Sequence, residues 1–298
     1  MIAVDWGTSS LRAYRLDASG AVLDQRSAAA GLLACGGRFE PVLAEQVAGW
    51  DDPTIVMAGM IGSRSGWLEV PYADCPAGAH EIAAGLREVV APSLPGRRVW
   101  IVPGLALRPA GAPPEVMRGE ETQILGLPGE ITDAGVHHIC LPGTHSKWVR
   151  VEGGRIVSLR TAMTGEVYAL LRQRSLLAAL MPETIETDVD DEIAFARGID
   201  ASAGAGGLLH HLFGVRTQGL FGLLTPAQSP SYLSGLLIGH ELRGCWTDTS
   251  VVHLVGGAGL VRRYERALAR LGVATRSHGE ALSARGLHRL ALARGFVL

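Results

Sequence analysis

The sequence predicts two α/β domains, each opened by a β-meander whose first turn is rich in glycine and hydroxyls. Three observations predict it. The stretch "IAVDWGTSSLRAYRLDASGAVL" near the start is echoed by "ICLPGTHSKWVRVEGGRIV" from Ile139: an apolar run, Gly-Thr-x-Ser, an alternating run, a tight turn and a third run. Gly7, Thr8 and Ser10 have counterparts at Gly143, Thr144 and Ser146, each 136 positions on (143 − 7, 144 − 8, 146 − 10). The chain's 298 residues exceed the roughly 250 at which single cores stop growing. Its 39 glycines, about 13% against roughly 7% in an average protein, are spread through turns and signal many tight backbone reversals.

Taken in order, residues 2–5 read as a strand, 6–9 as a turn, 11–16 as a second strand, "DASG" as a tight turn and 21–26 as a third strand. Pro41 opens a helix to Trp50, with Leu43, Val47 and Trp50 at helical spacing. Residues 54–60 read as a buried strand, 80–91 as a helix and 98–104 as a strand. The Pro/Gly-rich residues 108–119 form a loop leading into a helix at "EETQILG". A second meander covers 138–160, so the expected domains are residues 1–130 and 131–298. Helices follow at about 166–180, 190–200, 207–213 and 232–245, then a strand at 251–257 ending in Gly256-Gly257 and a helix "LVRRYERALARLG". "VATRSHG" and a last helix from Glu280 complete the chain.

The totals exclude some functions. A net charge of −2 gives no electrostatic reason to expect nucleic acid or an anionic membrane as partner. Cys35, Cys75, Cys140 and Cys245 lie far apart, with no C-x-x-C and no zinc spacing, and read as free thiols of a reducing compartment. Asp5 stands where a secretory leader needs a basic residue and then an apolar core. No apolar run approaches the roughly 18 residues of a membrane span, and there is no asparagine to glycosylate. The expectation is a cytoplasmic protein.

The duplicated turn suggests its chemistry. Glycine lets backbone approach a ligand closely and Thr or Ser adds donors, so each turn can cradle a phosphate, and two of them can hold a polyphosphate across a cleft. Taken singly, such a turn is more often only a hairpin. Asp5 adds a carboxylate suited to Mg²⁺, which prefers hard oxygen ligands and keeps part of its water shell. The second turn has Pro142 in the equivalent place, so one acidic contact to the metal is expected. "MRGEETQILG" offers Glu120 and Glu121 at a loop-to-helix junction; adjacent helical residues point about 100° apart, so only one should face a substrate. Acidic enrichment at a helix start explains the pair otherwise. Of 27 basic residues one is lysine, Lys147, and it sits in the second turn. A compact ammonium is therefore expected where a planar guanidinium would not fit.

These residues carry a resemblance. Asp5-x-Gly7-Thr8, the Gly143-Thr144 turn and Gly256-Gly257 look like the phosphate-1, phosphate-2 and adenosine motifs of the sugar kinase/Hsp70/actin superfamily. More specifically, "VDWGTSSLRA", "VMAGMIGSRSGW", "VMRGEETQILG", "LPGTHSKWV", "RTAMTGEVYALL" and "LVGGAGLVRRY" resemble the 2-dehydro-3-deoxygalactonokinase family nearly end to end. The resemblance implies an α/β, two-domain actin-like ATPase (ribonuclease H-like) fold with an interdomain active-site cleft. It implies ATP and Mg²⁺, and phosphorylation of the 6-hydroxyl of a small 2-keto-3-deoxy sugar acid in galactonate breakdown. One of Glu120 and Glu121 takes the place of the superfamily's catalytic aspartate, and Lys147 contacts either the ATP phosphates or the sugar carboxylate. Asp5, Gly7, Thr8, Ser9, Arg12, Gly143, Thr144, His145, Gly256 and Gly257 form the expected ATP and phosphate set, with Asp5 on the metal. Gly59, Met60, Arg64 and Trp67 of the segment "MAGMIGSRSGW", with Thr164 and Glu166, form the expected sugar side, where Arg64 could grip a carboxylate bidentately. A non-enzymatic ATP-switched protein of the superfamily, and a hydrolase passing phosphate to water, are the alternatives. A homo-oligomer is left open.

Overall fold

The computed structural model describes residues 1–132, 135–183, 190–245, 251–279 and 281–296, and the chain divides into two compact units. One comprises Met1–His137, Val149–Leu159 and Gly279–Leu298; the other comprises His138–Trp148 and Arg160–His278.

Up to the second meander the elements are β1 (Ile2–Trp6), β2 (Leu11–Leu16), β3 (Val22–Ala28), α1 (Leu32–Cys35), α2 (Phe39–Gln46), β4 (Thr54–Gly59), β5 (Ala73–Asp74), α3 (Ala79–Ala84), β6 (Arg87–Val89), β7 (Arg98–Ile101), β8 (Leu105–Leu107), β9 (Glu115–Met117), α4 (Glu120–Leu125) and α5 (Gly129–Thr132). They form a six-stranded sheet of order β3-β2-β1-β4-β7-β6 and a small sheet β5-β8-β9. β1 runs antiparallel to β2 and parallel to β4, which seats Asp5 between Arg12 and Ala58. The core beneath includes Ile2, Val4, Trp6, Leu43, Ile55, Met57 and Ile101.

Two sequence expectations fail here. Residues 80–91 are not one helix: α3 ends at Ala84, and Arg87–Val89 pairs antiparallel with β7. The apolar spacing was right for a helix, but sheet pairing claims the segment, a tertiary override of local pattern. The Pro/Gly-rich loop also holds a strand, β9, paired with β8.

The chain continues with β10 (Val136–Leu141), β11 (Ser146–Glu152), β12 (Arg155–Ala162), α6 (Thr164–Arg174), α7 (Glu192–Ala201), α8 (Gly207–Leu220), α9 (Ser229–Cys245), β13 (Val251–Val255), α10 (Ala258–Arg270), β14 (Ala274–His278) and α11 (Leu282–Ala293). Residue Glu280, where the sequence starts the last helix, lies outside the described residues. Strands β10 to β14 make a sheet of order β12-β11-β10-β13-β14, which follows the first sheet's plan through β7 and lacks a counterpart of β6. The repeat read from two turns thus extends to strand order. The second unit packs its core around Trp148, Phe195, Leu242, Leu254 and Tyr264. All four cysteines are free thiols. Among the described residues no helix is long and apolar enough to cross a membrane.

Candidate active site

The first turn joins β1 to β2. Gly7 N–H donates to Ser10 O at 2.9 Å, closing the hairpin and leaving Thr8 and Ser9 exposed at its tip. The loop after β3 braces it from behind: a Cβ on Gly31 would come within 2.3 Å of Thr8 O, so only glycine lets the chain lie this close. Asp5, at the end of β1, accepts a 2.8 Å hydrogen bond at Oδ2 from Ser283 of α11. Burial pushes the Asp5 carboxyl above its ordinary range, opposed by the Ser283 bond and the charge of Arg12, while the neighbouring charge of Glu120 raises it further.

Glu120 therefore lies within electrostatic reach of Asp5, on a segment built around glycine. Gly119 has φ +112°, and a Cβ there would sit 3.2 Å from the Gly59 Cα. The close approach holds the start of α4 against the end of β4. Arg118 N–H donates to Glu120 Oε2 at 3.0 Å, and the Arg118 guanidinium donates from Nη2 to Val70 O at 2.8 Å while lying over the Tyr72 ring. Helix α11 closes from below: Cβ atoms on Gly286 and Gly126 would run into Thr122 O and Leu282 O, so α4 and α11 cross backbone to backbone.

The two adjacent glutamates part company. Glu120 is part-exposed, whereas Glu121 is 0% exposed, both its carboxyl oxygens receiving the Gly119 N–H at 2.9 and 2.7 Å. Burial, and then the charge of Glu120, push the Glu121 carboxyl up to about 8. Glu121 thus binds a proton in the folded chain where the unfolded chain has lost it. Its contribution to stability is complete below about pH 4.5 and is lost as pH rises through about 8, by up to ~1.4 kcal/mol per unit. Glu121→Gln, a permanent mimic of the protonated form, should gain on wild type in Tm between pH 5 and pH 8. Parallel Tm–pH curves would remove this account.

Residues of the sugar-side set in the first unit are placed unequally. Gly59 is buried with φ +94°, a Cβ there meeting Trp6 O at 2.7 Å. Met60 and Trp67 lean on the first core. Arg64 is exposed: its side chain is 89% accessible and forms a 3.6 Å ion pair with Glu69.

In the second unit, Gly143, Thr144 and His145 turn β10 into β11. Gly165 of α6 packs on this turn, a Cβ there falling 2.5 Å from Gly143 O, and Glu166 N–H donates to Thr144 O at 3.0 Å. His145 Nε2 meets Glu166 Oε2 at 2.5 Å. The residues expected on phosphate and sugar sides are thus brought together here. Lys147 is only 5% exposed, and its Nζ donates back to His145 O at 3.3 Å, bracing the turn from inside. Ser146 is also turned inward, its hydroxyl 2.8 Å from Tyr264 Oη, which donates to Glu241 Oε2 at 2.6 Å. Trp148 Nε1 donates to the other Glu241 oxygen at 2.7 Å. Burial raises the Glu241 carboxyl, and these bonds, with one from Thr164, oppose that. Gly256 and Gly257 join β13 to α10, and a Cβ on Gly257 or Gly259 would meet nothing within 4 Å. Packing does not explain those two glycines.

Sequence reasoning missed Ser283, Arg118 and Glu241, and no local pattern marks them. A cavity of about 570 Å³ in the first unit, among Gly78, Glu81, Gly154, Arg155 and Arg289, contains none of the assigned residues.

As for Mg²⁺, no group of three or more His, Cys, Asp or Glu able to hold a metal ion occurs among the described residues. Asp5 nevertheless fits as a single contact: it is a hard oxygen donor, fixed at one oxygen by Ser283, in surroundings that disfavour its isolated charge. Mg²⁺ is commonly bound by one or two carboxylates together with substrate phosphates.

Two meander-led α/β units, with a glycine-hydroxyl turn in each, define the class of actin-like nucleotide-binding folds. The activator of 2-hydroxyisocaproyl-CoA dehydratase from Clostridium difficile, solved with bound ADPNP, aligns over 99% of this chain at a TM-score of 0.51 and 11% identity, a likeness of fold alone. The chain belongs to the 2-keto-3-deoxy-galactonokinase family, whose profile matches residues 5–290. It is 37% identical over 283 residues, 92% of this chain and 90% of the relative, to a probable 2-dehydro-3-deoxygalactonokinase of Rhizobium meliloti (strain 1021). It is 36% identical over 277 residues to the 2-dehydro-3-deoxygalactonokinase of Escherichia coli (strain K12), covering 91% and 90% of the two chains. A crystal structure from Sinorhizobium meliloti, assigned the same activity, superposes with a TM-score of 0.88 over 98% of both chains at 36% identity.

Proposed function

We propose that this chain is the ATP-dependent kinase that phosphorylates the 6-hydroxyl of 2-dehydro-3-deoxy-D-galactonate in galactonate catabolism. Family membership across residues 5–290 carries the activity, and the kinase reading stands over the ATP-switch and hydrolase alternatives. What supports the site is the close approach of Gly119, at the start of α4, to Gly59, at the end of β4, with the Glu120 charge felt at Asp5.

Phosphoryl transfer asks the protein for positioning and charge stabilisation more than for covalent chemistry. In this reading Glu120 takes the proton of the 6-hydroxyl as its oxygen bonds to the γ-phosphorus, the bond to the β-γ bridging oxygen breaks, and ADP leaves. Glu121, buried and capping its own helix, has no part in the transfer. Thr8 and Ser9 donate to phosphate in the first unit, and Gly143 and Thr144 do so in the second. When bound, Mg²⁺ neutralises phosphate charge, and Asp5 with its Ser283 partner would hold it. Gly256 and Gly257 leave the start of α10 open to the nucleotide. Met60, Trp67, Thr164 and Glu166 serve the sugar acid. Arg64, with its side chain exposed, remains the expected grip on the sugar carboxylate. The site of action is the cytoplasm, where ATP is supplied.

ATP consumption should be measured against 2-keto-3-deoxy acids, aldonates and neutral hexoses. Turnover should require the 2-keto-3-deoxy acid; ATP use without sugar, or equal use of neutral hexoses, would sink the proposal.

Lys147 supplies a further check. An ammonium fits the buried corner under His145, and a guanidinium is a broad planar fork. Lys147→Arg should shift the second turn by an ångström or so and lose ~10² in kcat/KM for ATP. Wild-type kinetics in this variant would make the lone lysine an accident of composition.

A further inference from the structure

Glu241 of α9 is 6% exposed, and the side chains of Trp148, Ser146, Thr164 and Tyr264 all hydrogen-bond to it. Trp148 Nε1 donates to Oε1 at 2.7 Å and Tyr264 Oη to Oε2 at 2.6 Å. An ionised carboxyl only accepts, with about four lone-pair sites on its two oxygens, so these neutral donors fill it. The donors come from three segments. Ser146 and Trp148 flank Lys147 on β11, directly after Gly143, Thr144 and His145. Thr164 opens α6, whose Gly165 and Glu166 pack on that turn. Tyr264 belongs to α10, which Gly256 and Gly257 join to β13. Every segment of the second unit that carries an expected ligand residue thus sends a side chain to the same carboxylate. A cavity of about 60 Å³ opens between these segments, and Thr164 and Tyr264 line it beside Gly143, Gly165 and Leu260.

We propose that Glu241 is a positioning residue for the nucleotide: one buried carboxylate holds the second phosphate turn, the start of α6 and α10 in a single arrangement for ATP. Under the kinase reading above, on which this role rests, ATP phosphate meets Gly143 and Thr144, and the nucleotide lies at the start of α10. Hydrogen bonds to a charged acceptor are short and about twice as strong as neutral ones, so each fixes the rotamer of its donor and the segment that carries it. Bonds that share one acceptor also act as a unit, and together can exceed the sum of their single deletions. An apolar side chain at this position would fill the space but let each segment settle by itself. Glu241 touches neither phosphate nor sugar in this role; it acts through Ser146, Trp148, Thr164 and Tyr264.

Glu241→Gln tests the role. The amide has the same shape but puts N–H groups where an oxygen accepted, so a donor faces the indole or the hydroxyls. It should lose ~10² in kcat/KM for ATP, the cost of an ångström's misplacement, with KM for ATP raised about ten-fold. The rise in KM decides, because a variant that is merely less stable loses kcat with its folded fraction and keeps its KM. Tyr264→Phe should weaken ATP in the same sense, and adding it to Glu241→Gln should cost little more, since both break one link. Trp148→Phe, which keeps an aromatic ring and removes the N–H, takes over should Glu241→Gln fail to fold. A folded Glu241→Gln, or failing that Trp148→Phe, with wild-type KM for ATP overturns the proposal. So do losses that add in full in the double variant. Calorimetry of ATP binding with no sugar present separates this role from the kinase reading. Weaker binding by the variant, in a wild type that phosphorylates no sugar acid, would sink that reading and leave Glu241 its role. Equal binding by both, in an active kinase, would sink the role alone.

Discussion

Glu120→Gln is expected to lose ~10²–10⁴ in kcat, the usual range for general-base catalysis, with KM for ATP and for the sugar acid nearly unchanged. The amide keeps an oxygen to accept from Arg118 N–H, so the turn into α4 has no reason to move. What disappears is the group that takes the proton. Glu121→Gln, one residue on, should turn over almost as wild type, because that carboxyl is shut away from substrate. The pair of variants forms the test. Two mild variants would move the role elsewhere, with Glu166 next in line, and a reversed pattern would return it to Glu121.

Asp5→Asn should cost at least ~10² in turnover at physiological Mg²⁺, in the range seen when one preorganised electrostatic contact is removed. Asparagine can still accept from Ser283 through its oxygen, so the β1–α11 contact survives. The folded carboxyl titrates above its ordinary value, so its stabilising contribution belongs to low pH and is lost as pH rises. At neutral pH the variant should therefore be as stable as wild type or more so, while binding Mn²⁺, a spectroscopic substitute for Mg²⁺, more weakly with ATP present. A variant with wild-type Mn²⁺ affinity and activity would show that Asp5 is not the metal contact.

Much of this was legible in the sequence, for physical reasons. The meanders announce themselves because alternating strands are cut by "DASG" and "EGG" turns, and the repeat of Gly-Thr-x-Ser foretells two sheets with matching strand order. Single positions were less readable. Ser10 and Ser146 are equivalent in the repeat, yet Ser10 is exposed and Ser146 is buried, its hydroxyl against that of Tyr264 from α10, which local sequence does not reveal. Local sequence cannot separate Glu120 from Glu121; their split depends on Gly119 folding against Gly59, sixty positions away. Ser283 and Gly286 act on β1 and α4 from the far end of the chain, beyond the reach of any pattern in a window of residues.

That last arrangement bears on how the protein comes into being. The hydroxyl that fixes Asp5 follows it by 278 residues. At roughly 5–20 residues per second of synthesis, β1 has left the ribosome about a quarter of a minute to a minute before Ser283 exists. Through that interval α4 has no α11 to cross, and the first sheet has one face without its closing helix. The usual sequence, in which an N-terminal domain finishes while the next is being made, does not apply to a unit whose segments enclose the other one in the chain. The contacts that fix Asp5 and cross α4 with α11 can form only once nearly the whole chain has been made.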